Sequence, residues 1–192
     1  MIRQIVFFGV FLLFAFFLMS RKYNLVPDSV HSFDDKKQLT RGKVFINKGV
    51  AIVAFEWTKT IQSGERRLKI PLVNIPGSVL CPVNAYIRMC RVIPAPDDSP
   101  AFVLRKHYRL VPVTYPQCLS KLRYIIYKTG RVSELYSSHS FRRSGATFAF
   151  RSHIPSKLIQ SHGDWASDAY KVYLEFSFAD NISVARDMAN YI

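Results

Sequence analysis

Residues Ile5 to Met19 read IVFFGVFLLFAFFLM, fifteen positions without a charged or polar side chain. A run like this has two stable destinations, a membrane or the middle of a protein core, because no side of it gains by facing water. Its flanks, Arg3 before and Arg21-Lys22 after, suit a short anchor or a secretory leader. Its length does not suit a span: fifteen residues rise about 22 Å as a helix, against a hydrocarbon core of ~30 Å. The residues after Ser20 are Arg-Lys-Tyr, not the small residues of a leader cleavage site. The run is therefore expected to be a buried helix, with no membrane partner despite its composition.

A helix covered on all sides needs a chain large enough to cover it. The 192 residues, 49% of them apolar and 21% charged, fit one globular domain. Charge is lopsided, with 27 Lys and Arg against 13 Asp and Glu, formally +14. That surplus attracts polyanions, either nucleic acid or an anionic membrane surface. Cys81, Cys90 and Cys118 are odd in number and widely spaced, which excludes a disulfide framework or a zinc motif and leaves buried free thiols.

After a polar stretch from Pro27 to Thr40, the segments GKVFINKG, VAIVAFEWTKT and RRLKIPLV read as three antiparallel strands. Their turns are expected at Asn47-Lys48-Gly49 and Gln62-Ser63-Gly64-Glu65. From Pro82 onward the chain reads as helical. Pro82 opens one helix, and the loop IPAPDDSP follows. Leu119, Leu122, Ile125 and Ile126 stripe the next, which Gly130 closes. Ser137 or Ser138 caps a helix through SFRRSGATFAFRS, Ile154-Pro155 starts a short one, and Ser167–Phe176 and Phe178–Tyr191 complete the chain. The expected fold is α+β, mainly helical with one small three-stranded antiparallel sheet.

The chemistry concentrates in SSHSFRRSGATFAF and, 20 to 31 residues later, SHGDWASDAYKVYL. His139 and Arg142 are three apart and share a helix face. Arg142 to Trp165 is 23 residues and Trp165 to Tyr173 is eight. These segments resemble the C-terminal half of the tyrosine recombinase (phage integrase) family, in phrasing closest to the branch of DIRS-like elements and cryptons. Upstream, RKYNLVP resembles the family's first-arginine segment, at the end of a buried helix, and EWTKTIQSGERRLKIPL resembles the hairpin that bears its lysine. In order, similar segments cover almost the whole chain.

The resemblance implies breakage and rejoining of double-stranded DNA through a 3′-phosphotyrosine link, in the integration of a mobile element, in a nucleus. Transfer of a phosphodiester passes through a state with negative charge spread over the non-bridging oxygens, which suits two guanidiniums. By resemblance these are Arg21 and Arg142. Tyr173 is the implied nucleophile, Lys59 the donor of a proton to the departing 5′ oxygen, and His139 the acceptor of the phenol proton. Trp165 would donate its indole N–H to the phosphate and buttress the pocket. No cofactor or metal is implied. The alternatives are Tyr170 for the nucleophile, Lys48 or Lys69 for the lysine, and His162 for the place of Trp165; Arg143 reads as a backbone-binding or structural charge.

Two departures stand out. The family often has an acid three residues after the first arginine, where this chain has Asn24. The family also places another helix and a separate DNA-clamping domain upstream. Residues 1–192 are thus expected to be a catalytic domain truncated at its N-terminus, with the Ile5–Met19 helix partly uncovered. The family works as a DNA-bound tetramer exchanging its C-terminal helix, the implied role of Phe178–Tyr191. The competing readings are a DNA-binding remnant that no longer cuts, a type IB topoisomerase and a membrane-anchored basic protein.

Overall fold

The apolar run forms α1 (Ile2–Phe17), and the rest of the fold is arranged around it. The computed structural model describes residues 2–62, 66–174, 176 and 178–190. α1 lies between α3 (Pro82–Val92) on one side and α5 (Ser138–Arg151) on the other. Phe7, Val10, Phe11, Phe14, Ala15 and Leu18 are all buried, and Phe14 stacks on Tyr86 while meeting Phe102 edge-on. A stripe of Gly9, Leu12, Leu13, Phe16 and Phe17 is only half covered. No described helix is long and apolar enough to cross a membrane.

Beyond α1 comes a single turn, α2 (Lys22–Leu25), and then a sheet of β1 (Val44–Asn47), β2 (Val50–Phe55) and β3 (Leu68–Val73). The strands are antiparallel in chain order, with Val44 opposite Val53 and Phe55 opposite Leu68. The β1–β2 connection is a two-residue turn in which Lys48 and Gly49 both have positive φ, the geometry that matches strand twist. Ala51, Val53, Phe55, Ile70 and Leu72 face the core, while Ile52, Lys69 and Val73 face solvent. Of the second expected turn, Ser63 to Glu65 lie outside the described residues.

The chain is not purely helical after Pro82. β4 (Val103–Lys106) and β5 (Arg109–Pro112) form a second hairpin. Its turn is His107-Tyr108, with His107 at φ 53, so the glycine or asparagine that advertises such a turn is absent. α4 (Tyr115–Lys128) starts at a capping box in which the Gln117 side chain accepts from the Thr114 N–H at 3.0 Å. Its buried positions are Cys118 and Leu122; Ile125 is exposed, so the expected four-residue stripe is narrower than the sequence suggests.

α5 is capped by Ser137, and α6 (Ser156–His162) follows Pro155. Gly145 lets α5 approach α1 so closely that a Cβ there would collide with the Phe16 carbonyl. Ser167–Phe176 is not an α-helix but a 3₁₀ segment, Asp168–Tyr173. α7 (Phe178–Ala189) buries none of its residues, and Tyr191, the expected end of that helix, lies outside the described residues.

Phe14→Ala removes a fully buried ring from the contact between α1 and α3. It is expected to cost about 3–5 kcal/mol in urea unfolding, whereas a loss under about 1 kcal/mol would mean that α1 is not the centre of the core.

Candidate active site

α1 ends where the site begins. Met19 takes a left-handed φ of 47, which breaks the helix and turns its carbonyl outward. Arg142, one turn into α5 from His139, donates from Nη1 to that carbonyl. Only 3% of Arg142 is exposed. Trp165 lies across the guanidinium with its ring centre 3.8 Å from Cζ, a stacked cation–π contact. The indole fits because residue 163 is glycine: any Cβ there would occupy the space of the indole ring.

Arg21 stands two residues beyond Met19, at the position preceding α2, and lines a narrow cleft with Arg142, Asn24, Thr58 and Asp164. The cleft measures about 10 Å³, room for about one water. Burial pushes the Arg142 guanidinium down to about 9, Arg21 pushes the same way, and Tyr173 and Asp164 partly oppose them. Arg142 therefore still carries its charge at pH 7.

The phenol of Tyr173 meets His139 on the outer side of this cluster. His139 Nε2 and Tyr173 Oη are 3.1 Å apart, with the rings edge to face. The Thr147 hydroxyl, also from α5, donates to the Tyr173 carbonyl and fixes the 3₁₀ segment. Arg143 lies over the Tyr173 ring at 5.6 Å. Tyr170 is fully buried beside Ala146, Ile159 and Trp165. Of the two tyrosines, only Tyr173 presents its hydroxyl at the histidine.

His139 sits among cations. Partial burial, then Arg142, Arg143 and Arg21, lower its pKa below 6.5, so the ring is neutral at pH 7 and can accept from the phenol. His162 is used differently. Its Nε2–H donates to the Phe17 carbonyl at 2.8 Å, tying α6 to the end of α1. Lys59 is not in a strand. β2 ends at Phe55, and the exposed Lys59 lies on a tight turn bridged from Thr58 to Ile61, next to Thr58 of the cleft. Lys69 points outward from β3, and Lys48 lies in the β1–β2 turn.

No family model matches the chain, and no curated protein matches it. Solved structures do. XerH site-specific recombinase bound to difH substrate, in a pre-cleavage complex, superposes with a TM-score of 0.65 at 14% identity, over 96% of this chain and 47% of that one. XerH on palindromic difH substrate, a post-cleavage complex, gives 0.62 at 15% identity over 92% and 44%. The Tn1549 transposon integrase in complex with circular intermediate DNA gives 0.55 at 14% identity over 92% and 56%. The fold is that of a tyrosine recombinase catalytic domain. The chain spans about half the length of the solved structures it matches.

Within this recombinase fold, sequence reasoning missed Asp164, which lines the cleft, and named Asn24 only as a departure. Asp164, 6% exposed and with a φ of 54, accepts from Thr60 and from Arg66 Nη2 at 2.9 Å. A lone acid between Gly163 and Trp165 was the available signal. Asn24 is buried, and its amide donates to the Trp57 carbonyl at 2.9 Å and the Lys37 carbonyl at 3.4 Å. A carboxylate there would face two acceptors with no proton to offer, which explains why an amide fits this site.

Because the folded His139 value lies below 6.5, the unfolded chain binds the proton first. The stability this provides is complete above about pH 6.5 and is lost as pH falls through the folded value. The NMR titration midpoint of the His139 ring is expected below 6.5, and a midpoint above that would contradict the cationic setting. Asn24→Asp is expected to lower stability by about 1–3 kcal/mol in chemical denaturation, and an unchanged midpoint would remove the assigned donor role.

Proposed function

We propose that this chain cleaves and rejoins double-stranded DNA, with Tyr173 as nucleophile and a 3′-phosphotyrosine intermediate. The observation that carries the reading is the 3.1 Å approach of Tyr173 Oη to His139 Nε2, beside a pair of guanidiniums from Arg21 and Arg142. A neutral histidine accepts the phenol proton as the oxygen attacks phosphorus. The two arginines take up the charge that grows on the phosphoryl oxygens, and the Trp165 plane holds one of them in position. Lys59 hands a proton to the 5′ oxygen as it departs. Each partner reverses its role on rejoining.

The wider reading follows the sequence resemblance. It is of a mobile-element recombinase of the DIRS and crypton kind, residues 1–192 forming one catalytic domain, working in a nucleus as a DNA-bound tetramer. The formal charge of +14 suits a DNA partner. Exchange of α7 between copies is supported by the apolar side chains it leaves in solvent, Phe178, Val184 and Met188.

One observation favours a second reading, a remnant that holds DNA without cutting it. Arg142 is nearly fully buried and the cleft beside it is far smaller than a phosphate. A duplex carrying a nick just beyond the scissile phosphate separates the two, because the cut fragment diffuses away and the adduct accumulates. Wild type is expected to form a covalent adduct that Tyr173→Phe abolishes and Tyr170→Phe, if folded, retains. Adduct lost with Tyr170→Phe but kept with Tyr173→Phe would reverse the assignment. Binding without any adduct would favour the remnant.

A further inference from the structure

Lys59 is exposed, so its reach into the cleft is set by the backbone that carries it. That backbone is the turn from Thr58 to Ile61, closed by reciprocal bonds between the two residues. The Thr58 hydroxyl also accepts from the N–H groups of Thr60 and Ile61, at 3.2 and 3.1 Å. The turn is tied to both walls of the cleft. On the Arg21 side, Asn24 holds the carbonyl of Trp57, two residues before the lysine. On the Arg142 side, the Thr60 hydroxyl, one residue after it, donates to Asp164 Oδ1, and Arg66 from the return of the same hairpin donates to the same oxygen.

Asp164 is an unusual residue to find there. It is only 6% exposed, while its ion-pair partner Arg66 is mostly exposed. Its second oxygen, Oδ2, has no hydrogen-bond partner among the described residues, and the residue lines the cleft with Arg21, Asn24 and Arg142. Its neighbours on either side are Gly163 and Trp165, the pair that seats the indole on Arg142. The carboxylate that the resemblance places three residues after Arg21 is absent, and the amide in its place is committed to backbone carbonyls. Asp164 brings a carboxylate into the same cleft from the opposite wall.

We propose that Asp164 is a positioning residue that clamps the Lys59 turn against the arginine cleft. The proposal rests on the DNA-cleavage reading and deepens it. In cleavage the Tyr173 Oη–P bond forms and the P–O5′ bond breaks. The phenol proton goes to His139, and an ammonium proton of Lys59 goes to the 5′ oxygen. Asp164 touches none of these atoms; it sets where the ammonium stands when the bond breaks. Segment 163–165 thus joins two functions, the seating of Arg142 and the placing of the proton donor.

The test compares nicked duplexes that differ in one atom at the scissile bond, the ordinary 5′ oxygen or a 5′ sulfur. A thiolate leaves without needing a proton, so sulfur bypasses the lysine and nothing else. With oxygen, Asp164→Asn and Lys59→Ala are each expected to slow adduct formation about 10- to 100-fold. With sulfur, both are expected to return to within about threefold of wild type. Thr60→Val, which removes one strand of the clamp, should show the same pattern more weakly. Equal slowing of Asp164→Asn on both substrates would mean that the aspartate supports Arg142 and Trp165 alone, and would overturn the clamp. So would wild-type rates on both. If wild type forms no adduct on either duplex, the cleavage reading fails, and amide exchange decides the clamp separately. Faster exchange at Thr60 and Ile61 in Asp164→Asn supports it, and unchanged exchange overturns it.

Discussion

The arrangement depends on one buried cation. Arg142 is held by the Met19 carbonyl at one edge and by the face of Trp165 across its plane, with Arg21 repelling it from across the cleft. A guanidinium tolerates this because it stays protonated even when burial lowers its pKa to about 9. An ammonium placed there would be driven toward neutrality. The same cation acts on its surroundings: it helps keep His139 neutral, and its planar face determines where the indole lies.

The N-terminal apolar helix makes that burial possible. α1 is gripped by α3 and α5, and the close approach of α5 at Gly145 brings Arg142 to the last turn of α1. A helix with this composition is unstable in water, so its cover cannot be loosened without cost. The end of α1 is therefore a firm place to anchor a charge. The residues that meet it come from α5 and α6, a guanidinium and an imidazole, and the indole that follows α6 covers the guanidinium in turn.

How much of this could be read in the sequence follows from where each signal resides. The three-stranded sheet was legible because its alternation and the Lys48-Gly49 turn both point to the same register. The β4–β5 hairpin was not, because its turn is made by a histidine at positive φ, which no composition rule marks. The spacing of His139 and Arg142 located the face of α5, and the order of Trp165 and Tyr173 located the rest. Spacing from Trp165 favoured Tyr173 over Tyr170 in the sequence, and the fold buries Tyr170 while leaving the Tyr173 hydroxyl beside His139. Asp164 was hidden for a plainer reason. Its partners Thr60 and Arg66 are 104 and 98 residues away, so the acid beside Gly163 could be noticed locally but its pairing could not.

Sequence separation also governs when the site can exist. The carbonyls of Phe17 and Met19 are met by His162 and Arg142, which lie 145 and 123 residues later. During synthesis α1 emerges before α5 and α6, and the groups that satisfy its end arrive only once those helices have left the ribosome. Closing loops of that length is slow compared with forming helices and hairpins. The sheet can assemble beforehand, whereas the cluster around the arginine cannot close before α5 and α6 have been made. A growing chain thus carries much of its positive charge before Arg142 has a carbonyl to meet and a ring to lie under.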